Sequence, residues 1–313
     1  MIEILEAPPL LTVQDAGRFG LRAEGVPIAG AMEGWAFATA NLLAGNSPST
    51  AVFEWAVGGG AMRFHRDAHF ALTGASAEAL LNERPVPGET TCLAKAGDIL
   101  RVLRLVRGRF LYLAIRGGLD VPVVLGSRST YLQAAFGGFE GRRLHAGDAV
   151  PLGSPGLRAP RPGFAVPIQL RPDYDASRLR VLPGSRAAAL PKESWTGLTD
   201  ETFRVSAASD RMGYRLDGPA FAVRAGAALL SEPTCTGAIQ ATEEGQLIVL
   251  LSDGPTVGGY PVVAVVIGAD LPVLVQKTPG APVRFEPVSL EEAGAARAQR
   301  TGALESLRAL TVQ

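Results

Sequence analysis

The stretch EALLNERPVPGETTCLAKAGDILRVLRL, Glu78 to Leu105, decides how the chain is read. Short apolar runs alternate in it with residues that reverse a chain, at Asn82 to Pro85 and again at Ala96 to Asp98. It therefore reads as consecutive hairpins. Working outward, strands are expected at Ala68–Leu72, Glu78–Asn82, Glu89–Leu93, Ile99–Leu105 and Arg109–Ile115. The Ala-Gly-Asp turn recurs at 146–148, again ahead of an apolar strand, AVPL, which indicates barrel-like β construction rather than a repeat array. With 37 glycines and 23 prolines spaced between apolar runs, the whole chain reads as mainly β with many turns.

Helical signals are few. Glu33 to Ala44 places Trp35, Ala38, Leu42 and Leu43 on one face and stops at Gly45-Asn46. Leu290 to Leu310 follows Ser289 and carries Glu291 and Glu292 in its first turn, where acids favour a helix start. Residues 151–167, PLGSPGLRAPRPGFAVP, have no periodicity and mark the boundary between two β-rich domains, 1–155 and 168–288. The second opens with a strand at Leu179–Leu182, closes near Pro287, and is followed by a helical tail, 289–313.

At 313 residues and 47% hydrophobic composition, each domain is large enough to bury its own core. Thirty basic and thirty acidic residues cancel, which removes the footprint of a nucleic-acid binder or a polybasic membrane anchor. No uncharged apolar run approaches the roughly 18 residues of a membrane span. The first residues lack the positive charge and apolar core of a signal peptide. A soluble, cytoplasmic protein with a small-molecule or protein partner is expected. Cys92 and Cys235 have no metal-ligand spacing around them and are expected as buried free thiols. Lys95, Lys192 and Lys277 are the only lysines, and none lies in a Met-Lys-Met setting that accepts biotin.

The common catalytic motifs are absent: no P-loop, no strand-borne GxGxxG, no GxSxG elbow, no HExxH. Gly58 to Gly60 reads as a turn rather than a phosphate cradle, and His65 and His69 in RFHRDAH as surface histidines rather than a metal pair. What remains are polar clusters in glycine-rich turns. Gln14, Asp15 and Arg18 form one, and Asp120, Arg128, Ser129 and Thr130 a second. Asp210, Arg211, Tyr214 and Arg215 form a third, and Asp253, Thr256, Tyr260 and Asp270 a fourth. The bland reading of each is a turn held by a minor ion pair. The functional reading is that arginine forks clamp carboxylates and phosphates while loop N–H groups hold a developing oxyanion. Together the clusters point to an anionic or amide substrate.

These clusters also carry a resemblance. TVQDAGRFGLRAEGVPIAGAME (12–33), NLLAGN (41–46) and FEWAVGGG (53–60, with Glu54) resemble the family of allophanate hydrolase subunit 2, KipI antagonists, biotin-dependent carboxyltransferase subunits and the carboxyltransferase-like C subunits of 5-oxoprolinase. So do LAIRGGLDVPVVLGSRSTYLQAAFGGFEGRRLHAGD (113–148), SDRMGYRL (209–216), SEPTCTGAIQ (231–240, with Gln240) and LLSDGPTVGGYP (250–261). The resemblance implies a cyclophilin-like β-barrel in the C-terminal half and a related β-rich domain before it. It also implies two partners, one a KipI-like subunit, the other a LamB/YcsF-like subunit, with 5-oxoproline opened to glutamate at the expense of ATP, which the complex takes with Mg.

Under that reading Arg128, Asp210, Arg211 and Tyr214 are the candidate catalytic residues. Gln14, Asp15, Arg18, Glu54, Ser129, Thr130, Gln240, Asp253, Thr256 and Tyr260 are candidates for binding substrate or nucleotide. Asp210, Asp253 and Asp270 are candidates for proton transfer or a metal, whose ligands stay open. The family's usual GAMD is here GAME, ending in Glu33, and its frequent basic residue after GGYP is Val262. The alternatives are biotin-dependent carboxyl transfer to urea or another amide, with biotin on another chain, and a regulatory protein that sequesters the KipI-like subunit.

Overall fold

The computed structural model describes residues 1–156, 159–187, 191–221 and 230–312. The chain divides into two compact units, Met1–Arg18 with Ala29–Arg171 and Gly302–Gln313, and Phe19–Ile28 with Pro172–Thr301. The proline-rich segment at 151–167 thus lies within the first unit, and a short early segment belongs to the second.

In the first unit, β1 (Ile2–Glu6), β2 (Leu10–Gln14), α1 (Gly34–Ala44), β3 (Val52–Ala56) and β4 (Gly60–Phe64) are followed by the long β5 (Ala68–Leu81). Then come β6 (Arg84–Pro85), β7 (Cys92–Ala94), β8 (Ile99–Ile115) and β9 (Ala149–Val150). All nine strands form one sheet, with the path β2-β3-β8-β4-β1-β9 and with β5 against β6, β7 and β8. Of the two turns read from the sequence as hairpins, the one at Asn82 to Pro85 joins the paired strands β5 and β6, whereas the one at Ala96 to Asp98 leads from β7 to β8, each of which pairs with β5 and not with the other. Two further differences appear. Four of the expected strands merge into two, β5 and β8, because bulges at Gly74/Ser76, Ser76/Ala77 and Glu78/Ala79 carry the pairing past the small residues that looked like a break. Of the expected strand Glu89–Leu93, only Cys92 and Leu93 are in β7.

The two Ala-Gly-Asp turns have the same construction. Asp98 Oδ2 accepts the Lys95 N–H at 2.8 Å and Asp148 Oδ2 the His145 N–H at 2.7 Å. Gly97 N donates to the Phe64 carbonyl, and Gly147 N to that of Ile4. Since β1 and β4 pair antiparallel with Ile2 opposite Phe64, the two turns dock on neighbouring strands.

One face of β2 and β3 feeds the main core: Leu11, Val13, Phe53 and Trp55 pack with Ile4, Phe64, Phe70, Leu111 and Leu113. The other face is polar and equally buried. Thr12, Glu54, Tyr112 and Thr73 stand opposite one another across β2, β3, β8 and β5, each 2% exposed or less. This row docks α1. Thr73 Oγ1 donates to the Ala36 carbonyl at 2.7 Å, Tyr112 OH donates to Glu54 Oε2 at 2.8 Å, and the Met32 and Glu33 N–H groups donate to Glu54 Oε2 and Tyr112 OH. The helix was expected to bury one stripe, yet every residue from Trp35 to Ala44 is buried. Among its apolar neighbours are Val166 and Leu307.

The second unit contains β10 (Arg178–Pro183), α2 (Lys192–Asp200), β11 (Phe203–Val205), β12 (Gly213–Asp217), β13 (Glu232–Pro233) and β14 (Ala238–Ala241). It continues with β15 (Leu247–Leu250), β16 (Val257–Gly258), β17 (Val262–Val266), α3 (Leu271–Val275) and β18 (Pro282–Pro287). Seven strands close a barrel in the order β10-β17-β14-β15-β12-β11-β18, with β10 and β18 parallel. The last helix, α4 (Leu290–Val312), starts with a capping box in which Ser289 Oγ accepts the Glu292 N–H and Glu292 Oε2 the Ser289 N–H. The sequence reading placed α1 and α4 but not α2 or α3. The mainly β architecture with few helices holds, and no described helix is long and apolar enough to cross a membrane.

Candidate functional site

In the first unit the chain leaves β2 at Gln14 and turns at once, because Asp15 Oδ1 accepts the Gly17 N–H at 2.9 Å and Gly17 takes φ 98°. The Asp15 carboxylate then gathers the loop that follows β8. Its Oδ1 accepts Ser127 Oγ–H and Ser129 Oγ–H at 2.6 Å each, its Oδ2 accepts the Arg128 N–H at 2.6 Å, and the Asp15 N–H donates to Ser129 Oγ at 2.8 Å. Residues more than a hundred positions apart are thereby fixed as one loop pair. Thr130 Oγ1 donates to the Val13 carbonyl at 3.0 Å, and buried Gln14 donates Nε2–H to Thr130 O while its Oε1 has no partner among the described residues.

Arg18 is buried beneath this pair. It donates to the carbonyls of Val124 and Ser129 and lies 4.7 Å over the Phe136 ring. The Gly-Gly step at 137–138 is required here: both residues have positive φ, and a Cβ would run into the Ser129 carbonyl or Thr130 Oγ1.

Arg128 alone of this group reaches outward. Its Nε is held by the Val121 carbonyl at 2.8 Å and its Nη2 by Asp120 at 3.2 Å, an exposed pair of little intrinsic strength. Asp15, Asp120 and Arg128 line a polar cleft of about 450 Å³ with Ser49, Thr50 and Ser154. Its back wall is a glycine corner, where Cβ atoms at Gly117 and Gly153 would each collide with the other residue's carbonyl. Asn46 pins that corner, accepting the Gly117 N–H at 2.8 Å and donating to the Ile115 carbonyl. Ser49, Thr50, Ser127 and Ser154 were missed from the sequence, for lone hydroxyl residues in turns carry no distinguishing pattern. Asn46 lay within a quoted motif but was not singled out. Glu54, expected as a binding residue, is 2% exposed and lies in the row that docks α1.

In the second unit, Arg211 and Asp253 form a bidentate ion pair, 2.9 Å for both Nε and Nη2, with 7% and 4% of their side chains exposed. The Leu251 N–H donates to the Met212 carbonyl and the Asp253 N–H to the Arg211 carbonyl, so the pair sits just beyond the end of the β12–β15 ladder. Asp210 is exposed and caps its own turn through the N–H groups of Met212 and Gly213. Tyr214 is fully buried and donates its hydroxyl to the Val275 carbonyl at 2.7 Å. Asp270 binds Arg180 through both oxygens and accepts the Arg180 N–H, locking α3 to β10.

Gln240 and Thr256 are buried and Tyr260 is half exposed. Gln240 Nε2 donates to the Tyr260 carbonyl at 3.3 Å, under the β13–β16 pair. Arg22, not singled out from the sequence, donates to the Thr234 carbonyl at 2.9 Å. Val262 packs with Ala238 and Leu250, so a charge there would be buried in an apolar cluster. Cys92 is half-buried and Cys235 exposed, which corrects the expectation that both are buried; both are free. Burial pushes the Cys92 thiol up to about 11.

Among the described residues no group of three His, Cys, Asp or Glu could hold a metal. Asp253 and Asp270 are already committed to arginines and Asp210 to its turn, so this donor set does not fit a magnesium ion.

Comparison with known proteins agrees with this architecture. The chain is 37% identical over 98% of its length to the 5-oxoprolinase C subunit of Haemophilus influenzae, covering 98% of that protein, and 38% identical over 98% to its Escherichia coli namesake, covering 97%. It also superposes on the crystal structure of K. lactis urea amidolyase with a TM-score of 0.90 at 31% identity, over 98% of this chain but 20% of that one. The family described as carboxyltransferase domain, subdomain A and B, matches residues 24–287, and with relatives this similar across nearly its full length the chain belongs to that family.

Proposed function

We propose that this chain is a subunit of an ATP-dependent 5-oxoprolinase that works with a KipI-like and a LamB/YcsF-like subunit to open the 5-oxoproline lactam to glutamate. The observation that carries this reading is the 37–38% identity to two 5-oxoprolinase C subunits over nearly the whole of both chains. A lactam is a stabilised amide that water attacks slowly, and phosphoryl transfer to its oxygen makes it a better electrophile. In this reading Arg128 clamps the substrate carboxylate at the mouth of the 450 Å³ cleft, and Asp15 Oδ2, which among the described residues accepts the Arg128 N–H alone, takes the lactam N–H. Arg18, Ser129 and Thr130 hold that loop pair in place, and Arg211 with Asp253 stiffens the barrel loop. ATP and Mg belong to the assembled complex.

Mixing this chain with both presumed partners should produce ATP hydrolysis that rises on adding 5-oxoproline. No stimulation in any combination would overturn the proposal, and tight binding to the KipI-like subunit without turnover would favour a regulatory role. The likeness to urea amidolyase supports a second reading, biotin-dependent carboxyl transfer to urea. Carboxylation of urea from a carboxybiotinylated carrier would favour it over lactam cleavage.

A further inference from the structure

The segment RFHRDAH, 63–69, takes no part in the lactam cleft. Arg66 and His69 from it, with Arg116 at the end of β8, line a second cleft of the first unit, about 310 Å³. That is near the low end of the range of roughly 300–1,000 Å³ typical of small-ligand pockets. The two guanidinium groups are held by neutral carbonyls: Arg66 Nη2 by Gly153 O at 2.7 Å and Arg116 O at 3.4 Å, and Arg116 Nη2 by Gly156 O. Neither arginine is ion-paired among the described residues, and Arg116 Nε is buried with no hydrogen-bond partner there. The acid in the cleft wall, Asp67, is engaged elsewhere, by Lys95 Nζ at 2.8 Å and the Ala96 N–H at 2.9 Å.

Two positive charges thus line one cleft with no ion-pair partner among the described residues, and with donors left over. His69 is placed opposite by the strand pairing, since Arg116 N donates to the His69 carbonyl at 2.8 Å. Burial first, and Arg116 second, lower the affinity of the His69 ring for a proton, so a neutral imidazole adds one N–H donor rather than a third charge.

We propose that Arg66, Arg116 and His69 form a binding site for a small oxyanion, a phosphate or carboxylate group held by the two arginine forks. The side chains of this site are not those that line the proposed lactam cleft, although Gly153, whose carbonyl holds Arg66, lines that cleft as well. An anion placed here would accept from guanidinium groups whose orientation the carbonyls of Gly153 and Gly156 already fix, so little ordering is required on binding.

The test uses the full chain alone, dialysed free of anions, with inorganic phosphate and sodium acetate as separate probes in calorimetric titration and thermal melts. Saturable binding of at least one probe is expected, with a rise in melting temperature; which probe binds tells a phosphoryl from a carboxylate ligand. Arg116→Gln should weaken that binding by about tenfold or more. If that variant does not fold, Arg66→Gln is read the same way. Arg104→Ala, which removes an exposed positive charge paired with Glu78 elsewhere on this unit, should leave it unchanged. No saturable binding of either probe overturns the proposal, and so does equal weakening by Arg104→Ala, which would reduce the effect to general charge.

Discussion

Arg211 and Asp253 meet through two parallel hydrogen bonds of 2.9 Å, and the Asp253 N–H returns to the Arg211 carbonyl at 3.0 Å. Side chains and main chain thus tie the loops at 209–212 and 251–254 into one corner. Because both charges are buried, removing Arg211 leaves the Asp253 carboxylate without its bidentate counter-charge. Arg211→Ala should cost about 3–5 kcal/mol, while the paired change Arg211→Met with Asp253→Leu should cost distinctly less. Urea unfolding of the two variants checks this; equal costs would mean that the charges are not coupled.

Arg128 has few roles in holding its loop by side chain, for its N–H, not its guanidinium, binds Asp15. Arg128→Ala is expected to fold and to raise the KM of the reconstituted complex for 5-oxoproline by about tenfold or more. Steady-state ATP hydrolysis at varied 5-oxoproline gives the answer, and an unchanged KM removes Arg128 from the substrate site.

Tyr214→Phe separates packing from chemistry. The ring stays inside the barrel, but the hydrogen bond to Val275 O is lost and that carbonyl is left buried, at a cost of about 1–2 kcal/mol. If Tyr214 only braces the barrel, turnover of the complex is retained; loss of turnover with stability intact would place its hydroxyl in catalysis.

Glu33 caps α1, its carboxylate accepting the N–H groups of Trp35 at 2.8 Å and Ala36 at 2.9 Å. Glu33→Ala should destabilise by about 1–2 kcal/mol, while Glu33→Asp, a preferred N-cap residue, should recover most of that. Thermal melts of the two compare them directly. Recovery would explain how GAME can stand for GAMD.

Burial, then the nearby Glu54 and Glu33 carboxylates, raise the pKa of Tyr112 well above that of an ordinary tyrosine. A raised folded-state value means the stabilisation is complete below the unfolded pKa of about 10 and is lost as pH rises beyond it. Cys92, shifted from 9.0 to about 11, acts with the same sign from pH 9.0 upward. Chemical denaturation across this alkaline range should show a falling stability whose slope is reduced in Tyr112→Phe; an unchanged slope would contradict the assignment.

The residues that carried the β reading did so through local chemistry. Asn82, Pro85 and the two Ala-Gly-Asp turns reverse the chain by their own backbone and side-chain preferences, so those turns are where the sequence puts them. The bulged middles of β5 and β8 were not legible, because Gly74 and Gly108 break a strand by propensity and only pairing with a long neighbour keeps it extended. The same limit applied to the site. Asp15, Arg128 and Ser129 could be named as polar residues in glycine turns, but that one carboxylate binds Ser127, Arg128 and Ser129 depends on contacts across more than a hundred residues.

By itself, then, the sequence determined the mainly β class, the two helices with clear caps or stops, the family, and which loops hold the polar residues. Each of these is written in short-range pattern or in long motif strings. Only the tertiary structure decided which polar groups are engaged by the fold, as those of Glu54, Asp253 and Asp270 are, and which, like Arg128, Arg66 and Arg116, keep donors to offer. Burial and hydrogen-bond satisfaction are properties of the packed chain, and no residue carries them alone.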